Sequence, residues 1–142
     1  MKAFGLALSP VALGLVLALA TSDKGYAESA PFDGSWNAVI VCLASANGHG
    51  YSWRLPVRID SGTLSGIYQS PTTRARGELS GWVRPDGKAI VEVIGQTGED
   101  HSVGHLRPGT RFRYTANVQF KGAAGFGQRR QLRSCTLTFT RA

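Results

Sequence analysis

Two imidazoles and two carboxylates lie close together in the segment Glu99-Asp100-His101-Ser-Val-Gly104-His105. Such groups bind zinc or exchange protons with a substrate, so this segment is a candidate metal site or acid–base site. Histidines separated by three residues align as ligands on a helix, and Gly104 within a polar loop argues against one. We therefore predict solvated loop residues and no metal site, with His101 and His105 as the weak candidate ligands.

A glycine-rich segment, Gly122-Ala-Ala-Gly125-Phe-Gly127-Gln-Arg-Arg130, resembles a phosphate-binding loop. It lacks the Lys-Ser/Thr pair that follows the glycines of such loops, and no helical pattern comes after it. We predict a flexible connection between two long strands, with Phe126 exposed at its tip.

The chain offers little for nucleophilic catalysis. It has no Gly-x-Ser-x-Gly motif, its acidic residues are scattered, and its two cysteines are expected to be oxidised. We predict a protein that is not an enzyme and that uses no cofactor.

Arg129 and Arg133 share the sequence parity of Cys135, so a regular strand would direct both inward near one rim of the fold. A buried guanidinium requires a carboxylate, carbonyl groups or an anionic ligand. A bulge near Arg130 would reverse the assignment, and both orientations stay open at this point.

Alternating apolar and polar residues dominate the chain after residue 35. This period of two is typical of half-buried antiparallel strands, and turn signals such as Arg84-Pro-Asp-Gly87 separate them. Pro56 lacks an amide hydrogen, which predicts an edge or a bulge there. The pattern predicts seven strands, or eight if the loop at 98–109 adds a short one: 36–43, 51–59, 63–69, 77–83, 88–96, 111–120 and 132–140.

Cys42 and Cys135 both fall on the inward parity, one in the first predicted strand and one in the last. We predict a disulfide between them, which requires their Cα atoms to lie within about 7 Å. The first and last strands of a meander become neighbours only when the sheet closes. We therefore predict an all-β fold, an antiparallel up-and-down β-barrel of seven to eight strands, with a β-sandwich as the alternative.

One phrase occurs twice, as Gly62-Thr-Leu-Ser-Gly66 and as Gly77-Glu-Leu-Ser-Gly81. Gly66 and Gly81 share the inward parity of the leucine within each copy. A missing side chain there lets a small barrel curve tightly or admits a bulky neighbour. The repeat therefore predicts two neighbouring strands that bend in the same way.

Residues 34–36, Gly-Ser-Trp, and residues 62–70, Gly-Thr-Leu-Ser-Gly-Ile-Tyr-Gln-Ser, resemble segments of the avidin and streptavidin family. That family forms eight-stranded meander barrels of the calycin type that bind biotin at one mouth, and the resemblance implies that Tyr68 and Ser70 match biotin contacts. The family's first-strand polar contacts fall here on Ala38 and Cys42, so the resemblance implies the topology rather than biotin binding. The whole pattern also resembles small exported barrel proteins of proteobacteria, which implies no function.

The first 27 residues read as a secretory signal peptide. Lys2 precedes a nearly continuous apolar run from Ala3 to Ala20, and small-residue cleavage sites follow Ala27 or, alternatively, Ala20. A retained membrane anchor is the competing interpretation. Once the signal peptide is removed, we expect no membrane span, a single domain over residues 28–142, and a periplasmic or secreted location.

The chain is basic, with a net charge of +7, and residues 28–142 keep 14 of the 16 basic and 8 of the 9 acidic residues, a net +6. This charge predicts attraction to an anionic envelope component such as lipopolysaccharide or acidic polysaccharide. Nucleic acid is not an expected partner for an exported protein. The alternative explanation is a GC-rich genome, which enriches Arg, Gly and Ala together.

Together these observations predict an exported noncatalytic binding module that contacts an envelope component or another protein, with an inhibitor-like role among the options. The alternative is a small-ligand carrier of the lipocalin or avidin type, with its site at one barrel mouth. The candidate ligand-binding residues are Trp53, Tyr68, Ser70, Tyr114 and Arg133.

Overall fold

The chain folds into eight antiparallel strands that close into a barrel. A computed structural model describes residues 30–45, 49–98, 107–129 and 133–142. The strands are β1 (Gly34–Cys42), β2 (Tyr51–Asp60), β3 (Thr63–Gln69), β4 (Arg76–Val83), β5 (Lys88–Gln96), β6 (Arg111–Lys121), β7 (Ala124–Arg129) and β8 (Cys135–Arg141). They pair in sequence order and β8 returns to β1, which confirms the up-and-down barrel and excludes the sandwich.

Two of the sequence predictions fall outside the described ranges, namely the signal peptide at residues 1–27 and the segment that contains His101 and His105. Within the described ranges no helix has the length and hydropathy needed to cross a membrane.

The disulfide lies on the seam that closes the barrel. Cys42 is directly opposite Cys135 in the β1–β8 ladder, their Cα atoms are 4.0 Å apart, and their sulfurs are bonded. Both side chains are buried. The predicted pairing is therefore confirmed, and the bond is consistent with an oxidising compartment outside the cytoplasm.

The eighth strand lies where the sequence predicted a flexible connection. β7 contains Gly125 and Gly127 on its inward parity, and neither position has room for a side chain. A Cβ atom would lie 2.7 Å from Cδ1 of Phe120 at the first and 2.5 Å from Cγ2 of Val118 at the second. The glycines are strand residues that make room for the core, so the loop prediction was wrong. Phe126 between them points outward from the strand rather than lying at a loop tip.

Inward-facing side chains fill the barrel, as the alternation predicted. The two copies of the repeated phrase pair with each other, so that Gly66 lies opposite Leu79 and Leu64 lies opposite Gly81. Both leucines are buried. Each glycine therefore accompanies the leucine of the other copy, which confirms the inward parity of the two glycines.

One end of the barrel, which we call the closed end, is covered by residues 30–33 and carries the turns at 61–62, 84–87 and 122–123. The indole Nε1 of Trp36 donates a hydrogen bond to the carbonyl of Phe32. Arg141, at the end of β8, lies 4.6 Å above the Trp36 ring and donates to the carbonyls of Asp33 and Pro31. The N-terminal segment is thereby fastened across this end.

The opposite end, which we call the mouth, carries four connections between strands, of which the structure describes residues 43–45, 49–50, 70–75, 97–98, 107–110 and 133–134. Beside the mouth the β2–β3 ladder stops at the Val57–Gly66 pair, although β2 continues to pair with β1. In a hairpin with a two-residue turn at 61–62, every second residue of β2 donates its amide hydrogen to β3, and after positions 60 and 58 the next donor would be position 56. Pro56 has no amide hydrogen, so the ladder ends there. The predicted irregularity is real, but it is a local parting of two strands and not a sheet edge.

Candidate functional site

Five aromatic rings occupy the mouth end of the barrel interior: Tyr51, Trp53, Tyr68, Phe112 and Tyr114. Trp53 stacks on Tyr68 with ring centroids 4.5 Å apart and planes within 12°. Tyr51 lies 5.1 Å and Phe112 5.9 Å from Trp53, and Tyr114 continues the group 6.2 Å beyond Phe112. These positions on β2, β3 and β6 bring their rings next to one another, and we call the group the mouth cluster.

A pair of glycines creates the space for the mouth cluster. Gly77 and Gly95 lie opposite each other on β4 and β5. A Cβ atom at Gly77 would lie 2.2 Å from Cζ3 of Trp53, and one at Gly95 would lie 2.2 Å from Cζ of Phe112. The rings therefore rest against bare backbone. Sequence reasoning missed these two positions, because it identified Gly77 only as part of a repeated phrase.

Two arginines lie over the tyrosines of the mouth cluster. The guanidinium of Arg129 is 4.2 Å from the ring centroid of Tyr114, and that of Arg133 is 5.8 Å from the ring of Tyr51. Arg133 also donates a 2.9 Å hydrogen bond to the carbonyl of His49, which joins two of the mouth connections. Neither guanidinium forms an ion pair with a carboxylate of the described residues. Both guanidiniums thus lie over rings of the mouth cluster. Of the two orientations left open by the sequence, this is the inward one.

The phenol groups beneath the arginines are held protonated. The hydroxyls of Tyr51 and Tyr114 are 3.3 Å apart and share a hydrogen bond. Burial raises the pKa of both phenols above the ordinary value for tyrosine, and the nearby guanidiniums only partly offset this. At physiological pH the pair is neutral, so the mouth presents two cations above uncharged rings.

The structure brings four of the five predicted site residues together in the mouth cluster or directly over it. Trp53 and Tyr114 are buried, with only 4% and 6% of their surfaces exposed, whereas Tyr68 is partly exposed. Arg133 lies above them.

Ser70, the fifth residue, lies in the β3–β4 connection, where its hydroxyl accepts hydrogen bonds from the amides of Thr72 and Thr73. Its observed role is to hold this turn. Tyr51, Phe112 and Arg129 belong to the mouth cluster and its rim, although the sequence analysis did not name them as site residues.

Charges within the described residues are unevenly distributed between the two ends. Arg76, Arg107, Arg111, Arg129 and Arg133 lie at the mouth end, whereas the closed end combines the carboxylates of Asp33, Asp60 and Asp86 with the cations of Arg84, Lys88, Lys121 and Arg141. Glu99 and Asp100 belong to the β5–β6 connection outside the described ranges. An anion approaching this part of the protein is therefore attracted towards the mouth.

A second surface lies on the outer wall of the barrel. Trp82 of β4, Ile90 of β5 and Phe126 of β7 line a groove of about 940 Å³, which we call the wall groove. Their side chains are 58%, 63% and 51% exposed, which is unusual for residues of this size. A second hollow, of about 390 Å³, lies on the wall of β3 to β6 next to the mouth.

The described ranges contain no group of three or more His, Cys, Asp or Glu residues that could hold a metal ion. Comparison of the chain with family models, curated proteins and solved structures gives no match.

Proposed function

We propose that this protein is an exported, noncatalytic binding module whose mouth contacts an anionic group of an envelope component or of another protein. The observation that carries this proposal is the pair of guanidiniums of Arg129 and Arg133, which lie over Tyr114 and Tyr51 without a carboxylate partner in the described residues. Arginine is suited to this task because its planar fork of N–H donors matches carboxylate and phosphate oxygens.

The geometry of the rings supports contact at the rim rather than uptake of a ligand into the barrel. Trp53 is stacked against Tyr68 and packed beside Phe112, and Tyr114 is buried below Arg129. A small-ligand carrier, the alternative prediction, would require these rings to separate. An anion at the rim needs no such rearrangement.

The state of the two tyrosines supports a noncatalytic role. Their hydroxyls already bond to each other, and the raised pKa of each phenol keeps it protonated at physiological pH. A general base or nucleophile needs the opposite, namely a group that ionises near the working pH. The mouth is therefore better suited to holding a partner than to transforming it.

Export is supported by the disulfide and by the apolar N-terminal pattern. Intact mass measurement of the protein from the exported fraction tests this part of the proposal. We expect a chain that starts after residue 27 or 20 and is two hydrogens lighter than its reduced form. A full-length chain with free thiols would contradict it.

Binding is tested with two anionic probes, purified lipopolysaccharide and a polyglutamate peptide. The double variant Arg129→Gln/Arg133→Gln removes the mouth charges. The control Arg54→Gln/Arg58→Gln removes the same charge from exposed positions on the outer face of β2. We expect at least one probe to bind, with an affinity about tenfold or more lower in the mouth variant, the scale of losing a charged hydrogen bond.

The control variant should lose much less affinity. Equal losses in the two variants would show that only net charge matters. Failure of the wild-type protein to bind either probe would contradict an anionic partner.

A further inference from the structure

The exposed apolar side chains of the described residues are concentrated at the wall groove. Of the six large apolar residues that are exposed, Trp82, Ile90 and Phe126 line this one groove. Trp82 and Ile90 are direct partners in the β4–β5 ladder, and Phe126 lies beyond β6 on the other side. Apolar surface gathered in this way on a small protein marks an interaction site, and aromatic residues are common anchors of such sites.

Between these two apolar ridges the groove has a polar floor. The outward residues of β6 there are Thr115, Asn117 and Gln119, all polar and exposed, and Asn117 lies opposite Ile90. A polypeptide backbone must form hydrogen bonds when it is covered, whereas lipid acyl chains gain nothing from polar groups. The arrangement of a polar strip between apolar ridges therefore suits an extended peptide better than a lipid.

The charge around the groove indicates the sign of the partner. Arg84 and Lys88 line the groove towards the closed end and Arg129 towards the mouth, and no carboxylate is among the lining residues. Arg84 is in part balanced by Asp86 at 3.5 Å. A partner with carboxylates would gain from the remaining charge.

A second copy of this chain fits the groove poorly. Each copy carries a net charge of +7, or +6 over residues 28–142, so two grooves brought together would repel each other. The groove therefore favours a different, acidic partner.

We propose that the wall groove binds an extended segment of a partner protein that carries both apolar side chains and carboxylates. The apolar side chains pack against Trp82, Ile90 and Phe126, the peptide backbone bonds to the strip of β6, and a carboxylate lies near Lys88. This surface shares Arg129 with the tyrosine–arginine rim of the mouth, but its apolar side chains and Lys88 lie outside that rim. The inference therefore goes beyond the proposed function and does not depend on it.

The experiment selects binders from a displayed library of random peptides against the folded, oxidised protein, and then measures the affinity of the selected synthetic peptides. We expect sequences that combine Asp or Glu with aromatic or aliphatic residues. Trp82→Ser and Phe126→Ser should each weaken binding by about tenfold or more, the scale of truncating an anchor residue. Lys88→Glu should also weaken it.

Matched controls separate the groove from general effects. Ile67→Ser removes another exposed apolar side chain, 71% exposed on β3, and Lys121→Glu makes the same charge change outside the groove. Both should keep full affinity, as should Arg133→Gln, which weakens only the mouth. Melting temperatures confirm that each variant is folded.

Three results would overturn the inference. The first is a selection that yields only basic peptides, or no peptide whose binding depends on Trp82 or Phe126. The second is binding of anionic lipid vesicles, but not of peptides, through the same two residues. The third is a dimer of this protein that Trp82→Ser abolishes.

Discussion

The disulfide should supply a large part of the stability of this barrel, and its removal gives the sharpest test of the architecture. Cys42 and Cys135 are 93 residues apart in sequence and opposite each other on the closing seam. In the chain-entropy description, a loop of this length is worth about 4 to 5 kcal/mol, because the cross-link restricts the unfolded chain. The whole free energy of unfolding of a small domain is about 5 to 15 kcal/mol.

Two altered forms separate the cross-link from the packing of the sulfurs. Reduced wild-type protein keeps both sulfur atoms and loses only the bond, so its free energy of unfolding should fall by about 4 to 5 kcal/mol. The Cys42→Ala/Cys135→Ala variant also removes two sulfurs that are only 1% exposed. The small cavities left behind should cost about 1 to 2 kcal/mol more.

Urea unfolding followed by tryptophan fluorescence measures these differences. Trp36 and Trp53 are buried and report the transition, whereas Trp82 is 58% exposed and changes less. Because the sulfurs are buried, reduction is carried out in urea before refolding under reductant. Without the cross-link, the free energy of unfolding should fall more steeply with urea concentration, because the unfolded chain expands and exposes more surface. A reduced protein within about 1 kcal/mol of the oxidised one would refute the reasoning that long loop closure stabilises the seam.

Two further predictions concern the two ends of the barrel. Gly77→Ala should destabilise the fold by about 1 to 3 kcal/mol, because its Cβ atom would lie 2.2 Å from the Trp53 ring. Urea unfolding should show a clearly smaller cost of the same substitution in a Trp53→Leu background. Equal costs in the two backgrounds would contradict the steric explanation. At the closed end, the amides of Gly62 and Ser61 donate to the Asp33 carboxylate and hold the pKa of that carboxyl below its ordinary value. A lowered folded pKa stabilises the protein above the unfolded pKa of about 4, and this contribution disappears as pH falls through the folded value. Thermal melts between neutral and strongly acidic pH should therefore show a smaller acid-induced loss for Asp33→Asn than for wild type, and superimposable acid limbs would refute this.

Much of the fold follows from local patterns in the sequence. The alternation correctly separates inward from outward side chains in β2 and β6. Cys42 and Cys135 share the inward parity in the first and last strands, and this was enough to predict a closed sheet. β7 is the exception, because Gly125 and Gly127 are typical of a turn when the side chains they lie against are unknown.

The sequence by itself determined which face of the sheet each side chain occupies, since that depends only on the period of two along one strand. The tertiary structure alone decided which side chains become neighbours, since strand register is set by pairing between residues distant in sequence. Register places Gly77 opposite Gly95 and so opens the space for the rings of the mouth. It also brings Trp82 beside Ile90 on the outer wall. Both candidate binding surfaces are products of register, which is why the sequence contained their residues without showing where they meet.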